Sequence, residues 1–131
     1  MSRYLLDANA VIGLLNDRNS LLAQRARLHK ASDIAISAIV AHELFYGAFN
    51  SKFVLKNISK IEDVMNASQI IFCDANTAKI YGQIKAKLKK AGKPIPENDI
   101  WIAATALQYD MPLVTRDVHF KNVHGLNVVK W

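Results

Sequence analysis

With a single cysteine, Cys73, the chain cannot close an internal disulfide, which fits a reducing compartment. No apolar run approaches the length needed to cross a bilayer, and none has the form of a signal sequence. Met1-Ser2-Arg3 leads straight into the first apolar segment, so a cytoplasmic protein without a leader or membrane attachment is expected. Five glycines and three prolines, with no repeat or low-complexity tract, leave no sign of a linker. Residues 1–131 are therefore expected to form one domain, and 51% hydrophobic content is enough to build its core. Acidic residues are the scarcer charge: 11 against 17 Lys and Arg, for a net charge of +6. That balance favours an anionic partner such as nucleic acid, or simply a basic soluble protein; charge leaves the two open.

What is present is an alternation of short strand-like runs and helical patterns. Strands are predicted at Tyr4–Leu6, Ile34–Ile36, Ile70–Phe72, Leu113–Thr115 and Leu126–Val129. Between them the spacing predicts helices over Ala8–Asn16, Leu21–Lys30, Ala38–Phe49, Val54–Met65, Asn76–Ala91 and Glu97–Tyr109. Ser37 offers an N-cap, Gly92 a C-terminal stop, and Pro94 and Pro96 a stiff loop. Inward stripes are expected from Leu55, Ile58, Ile61 and Met65, and from Ile80, Ile84, Leu88 and Ala91. Such alternation implies βαβ units, hence an α/β fold with a mostly parallel sheet covered on both faces. Ligands of such sheets bind beyond the carboxyl ends of the strands.

Four acids fall at or near that edge. Asp7 follows the first strand, Asp117 comes two residues after Thr115, and Asp99 lies in the first turn after the proline loop. Glu43 sits about a turn and a half into the helix after the second strand, among Ile39, Val40, Leu44 and Phe45. Each has an ordinary explanation: Asp7 a helix cap, Asp99 a dipole partner, Asp117 a turn residue, Glu43 a solvent-facing acid. Convergence would change the chemistry. Two like charges about 4 Å apart repel by roughly 4 kcal/mol at an effective dielectric of 20. A cluster must therefore raise its pKa values or hold a cation, and carboxylate oxygens suit Mg²⁺ or Mn²⁺. Zinc is disfavoured, because His29, His42, His119, His124 and Cys73 lack tight ligand spacing. A hard divalent ion on a basic protein points to phosphodiester chemistry.

The ordered set Leu5 to Asn9, Ile36 to Gly47, Pro96 to Ala104 and Leu113 to Phe120 resembles PIN-domain nucleases. Within them it is most similar to the VapC toxins of bacterial toxin–antitoxin modules. The resemblance implies a three-layer α/β/α fold, a Mg²⁺-dependent endoribonuclease that stops translation, a homodimer, and a VapB-type antitoxin partner. It implies a structured RNA such as tRNA as substrate. It also makes Asp7, Glu43, Asp99 and Asp117 the metal-site acids, with Asp7 and Asp99 holding the ion directly. Asn9 and Thr115 match supporting polar positions. Ala8 departs from the Thr or Ser frequent in relatives, and motivates an alternative, a catalytically weak RNA- or antitoxin-binding module. A phosphotransfer domain is a more distant rival, since Asp7-Ala8-Asn9 contains one acid rather than a pair.

Lys85, Lys89 and Lys93 are expected on one helix face, either as RNA-phosphate contacts or as a solvated surface. Arg116 is expected to reach substrate or to pair with the acids. The aromatic segment from Leu44 to Phe49, with Phe53, Val54 and Leu55, is expected to be mostly core, with part of it lining an antitoxin groove. Trp101 is left between core and dimer contact.

Overall fold

A computed structural model describes residues 3–131. The expectation about a leader, which rests on Met1 and Ser2, lies outside the described residues. The chain forms strands β1 (Tyr4–Leu6), β2 (Ile34–Ser37), β3 (Gln69–Ile71), β4 (Leu113–Val114) and β5 (Val128–Val129). Helices α1 (Ala8–Asn16) and α2 (Leu21–Ala26) follow β1, and α3 (Ala38–Phe49) and α4 (Val54–Ala67) follow β2. Helices α5 (Ala75–Lys90) and α6 (Glu97–Gln108) precede β4.

The five strands are all parallel in the order β3-β2-β1-β4-β5. With this strand order, the right-handed rule for parallel crossovers puts α1–α4 over one face and α5 and α6 over the other. The chain first winds from β1 toward β3, then returns to place β4 on the opposite side of β1. The direction of winding therefore reverses between β1 and β4, where a ligand crevice is expected. Leu5, Leu6, Ile36, Leu113 and Val114 are buried on this sheet, each large apolar side chain contributing about 2 kcal/mol over exposure.

Several expectations need correction. α2 ends at Ala26 rather than Lys30; Leu28 is exposed, and His29 instead stacks on Trp131 with ring centres 5.0 Å apart and meets Tyr4 at a tilt with ring centres 4.6 Å apart. β3 stops before Phe72, which points to solvent. On α4, Ile61 is the buried residue, and Leu55 is 86% exposed rather than inward. The aromatic stretch is not mostly core: Tyr46, Phe49 and Phe53 are exposed, while Leu44 and Ala48 face inward. Ala91 is an exposed C-cap, and the final strand is shorter than predicted. Trp101 is half-buried and stacks on Tyr81 with ring centres 4.3 Å apart.

Candidate active site

Asp7 leaves β1 into α1, with its backbone N–H donating to the Val114 carbonyl at 3.2 Å. Its Oδ1 accepts the Ala10 N–H at 2.8 Å, which caps α1. Its Oδ2 accepts the Thr115 hydroxyl proton across the β1–β4 junction. The same Thr115 Oγ1 accepts the Asp117 N–H at 3.0 Å, while the Thr115 N–H donates to the Val129 carbonyl at 3.0 Å. Thr115 is buried, and it links the first and last acids through one hydroxyl. Asp117 in turn caps the 3₁₀ turn Val118–Asn122, accepting the His119 N–H at 2.9 Å.

Glu43 comes from α3, whose N-cap Ser37 accepts the Val40 N–H at 3.1 Å. Among the described residues, Glu43 Oε1 is a buried side-chain oxygen with no hydrogen-bond partner. Such an atom is costly unless something outside the chain satisfies it. Asp99 stands in the first turn of α6, directly after Asn98, whose Nδ2 lies 3.4 Å from His42 Nε2 on α3. The α3 and α6 acids thus approach from opposite layers.

Electrostatics ties the four together. Burial raises the Asp7 carboxyl above its ordinary value; the Thr115 and Ala10 hydrogen bonds oppose this, and the Asp117 charge adds to it. Burial also raises Glu43, against His42 and an Asn98 contact, with the Asp7 charge pushing further up. Asp99 is pushed up to about 6 by burial, then by Asp117 and Glu43, with His119 opposing and Asp7 adding. Acids that repel one another this way, one with an unpartnered oxygen, form a donor set suited to a hard divalent cation. Ligand atoms of Asp99, Asp117 and His119 lie within 4.8 Å of one another.

The other expected residues are more dispersed. Asn9 is exposed on α1 and, with Thr115 and Arg116, borders a small cavity behind the acids. Arg116 is exposed but forms no ion pair with the acids; its Nε donates to the main-chain oxygen of Trp131 at 3.2 Å, with Nη2 on the same atom. Lys85 forms an ion pair with Glu97, whose Oε2 also accepts from Tyr81 at 2.6 Å. Lys93 does not share the α5 face: the helix ends at Lys90, and Gly92 turns the chain at φ +69°. Lys89 remains exposed on α5. His119, two residues beyond Asp117, stands beside these acids and is not among the residues the sequence singled out for the site.

The PIN domain family profile matches residues 4–126. A ribonuclease VapC of Haemophilus influenzae is 36% identical over all of this chain and 99% of its own length. The tRNA(fMet)-specific endonuclease VapC of Shigella flexneri is 30% identical over all of this chain and 99% of its own. The crystal structure of VapBC2 from Rickettsia felis, bound to a promoter DNA fragment, contains a chain with TM-score 0.90 and 31% identity, covering 98% of both chains. By profile, sequence and fold, this chain belongs to the PIN-domain family and, within it, to the VapC ribonucleases.

Proposed function

We propose that the chain is a metal-dependent endoribonuclease toxin whose ion is held by Asp7, Glu43, Asp99 and Asp117. The observation that supports this most is the convergence at the strand-order reversal of acids from four separate segments, half-buried or buried and close enough to feel one another's charge. Bound there, Mg²⁺ or Mn²⁺ would polarise a phosphoryl oxygen and make a water a better nucleophile. Thr115 keeps the Asp7 carboxylate oriented, and its accepted bond from the Asp117 N–H holds the two acids in register. Asn9 stands beside them on α1 as a polar contact. The Lys89 and Lys93 ammonium groups, with Lys85 once released from Glu97, would bind the RNA backbone, and Arg116 braces the turn that carries Asp117.

A structured RNA is the substrate class, tRNA by analogy with the Shigella relative. Cleavage would stop translation, with the cytoplasm as its site. The VapBC complex points to a VapB-type antitoxin. A cleft of about 250 Å³, lined by Ile12, Leu15, Leu44, Ala48 and Ile61, runs up to Glu43. An amphipathic antitoxin helix seated there would place its end at the acids, and exposed Tyr46, Phe49 and Phe53 extend the apolar surface. The toxin itself would act as a homodimer. Among the described residues, no helix is long and apolar enough to cross a membrane.

The test is labelled total RNA incubated with purified protein in Mg²⁺, with and without chelator. Discrete fragments should form only with Mg²⁺, and Asp7→Ala should abolish them while RNA affinity persists. Intact RNA in every condition, with binding retained, would replace the nuclease by the binding-module alternative.

A further inference from the structure

The four histidines occupy different settings. His29 stacks on Trp131 beside Tyr4, His124 borders a cleft beside α5, and His42 lies near Asn98. His119 differs, because both its backbone and its ring converge on one acid. Its N–H donates to Asp117 Oδ1 at 2.9 Å, and its Nδ1 stands 3.1 Å from that same oxygen. The 3₁₀ turn that Asp117 caps thus directs the imidazole along the acid edge rather than away from it. Asp99 completes the group, with one ligand atom of each residue within 4.8 Å of the others.

A surface His–Asp pair is the plain account of the Asp117 contact, and it would be worth about 1 kcal/mol or less. It does not by itself place the third member, since Asp99 arrives from α6 and is favoured by the His119 charge while being opposed by that of Asp117. Coordination accounts for all three. Adjacent donors on an octahedral ion with bonds of about 2.1 Å stand about 3.0 Å apart, and opposite donors about 4.2 Å. The 3.1 Å spacing matches an adjacent pair, and the 4.8 Å limit on the group requires only small side-chain shifts. The ring is half exposed, so it can turn without disturbing the core.

We propose that His119 is a nitrogen ligand of the ion held by the acids, and that it biases the site from Mg²⁺ toward a first-row transition ion. Imidazole nitrogen suits transition ions, whereas Mg²⁺ keeps to oxygen donors. This rests on the reading that the acids hold an ion.

Pulsed electron paramagnetic resonance of the Mn²⁺-loaded protein tests it directly. The wild type should show ¹⁴N modulation from one imidazole; His119→Gln should lose it, and His42→Gln should keep it. Removing His119 should weaken Co²⁺ binding roughly tenfold while changing Mg²⁺ binding, measured by competition, less than about threefold. Circular dichroism and melting temperature of His119→Gln without metal should match the wild type. Bound Mn²⁺ with no nitrogen coupling, or coupling lost with His42 instead, overturns the assignment and leaves the metal site standing. No Mn²⁺ bound by the wild type at all would remove both.

Discussion

The two oxygens of Asp7 have different partners, one the Ala10 N–H in the first turn of α1 and the other the Thr115 hydroxyl. The helix cap and the proposed site acid are therefore one carboxylate, which is why neither explanation could be dismissed from the sequence. The same holds for Asp117, which caps a 3₁₀ turn, and for Asp99 at a helix start. Thr115→Val keeps the shape but leaves the Asp7 oxygen and the Asp117 N–H without their partner. It should cost on the order of 1–3 kcal/mol in urea unfolding and lower cleavage as well. Asp99 titrates in the opposite sense to a salt-bridged acid. Its folded value of about 6 lies above its ordinary 3.8, so the folded state binds the extra proton between those pH values. Stability contributed by that proton is present below the window and is lost as pH rises through it. Asp99→Asn should thus raise the metal-free unfolding free energy at pH 7 by on the order of 1 kcal/mol after allowing for solvent screening, seen as a higher melting temperature, and leave it unchanged near pH 3. A variant equal to or less stable than the wild type at pH 7 would contradict the burial and repulsion that raise Asp99.

At the scale of elements, α5 and α6 end the same way with different residues. Gly92 turns the chain after α5, and its N–H and that of Lys93 return to the Lys89 and Leu88 carbonyls. After α6 the left-handed position is held by Asp110 at φ 51°, with the Met111 N–H on the Ala106 carbonyl at 2.9 Å. Asp110→Gly should therefore stabilise the fold by about 0.5–1 kcal/mol in thermal unfolding and leave cleavage unchanged. Gly92 was legible as a stop because glycine suits that conformation; Asp110 was not, because aspartate seldom adopts it. Strand and helix order was legible from periodicity, as was the Ser37 cap. Errors arose where apolar residues serve a surface: Tyr46, Phe49 and Leu55 have helical spacing but face outward. Spacing alone cannot separate a core stripe from a docking stripe. The α2 end was missed because His29 and Trp131, distant in sequence, stack on each other.

Across the whole molecule, the strand order brings residues 7, 43, 99 and 117 to one edge, a convergence the order of motifs implied but spacing could not demonstrate. Arg116 shows the limit: a guanidinium beside an acid in sequence turns instead to the Trp131 main chain. The net charge of +6 predicts RNA affinity that falls steeply with salt, and charge-neutral Gln at Lys89 and Lys93 should flatten that slope. A salt slope unchanged by both substitutions would move the RNA path elsewhere. The central claim is that carboxylates from remote segments jointly bind one kind of ion, and calorimetric titration with Mn²⁺ at pH 7 measures it. Saturable binding is predicted for the wild type, weakened at least tenfold in each of Asp7→Asn, Glu43→Gln and Asp99→Asn. Equal affinity in the wild type and all three variants would contradict the account.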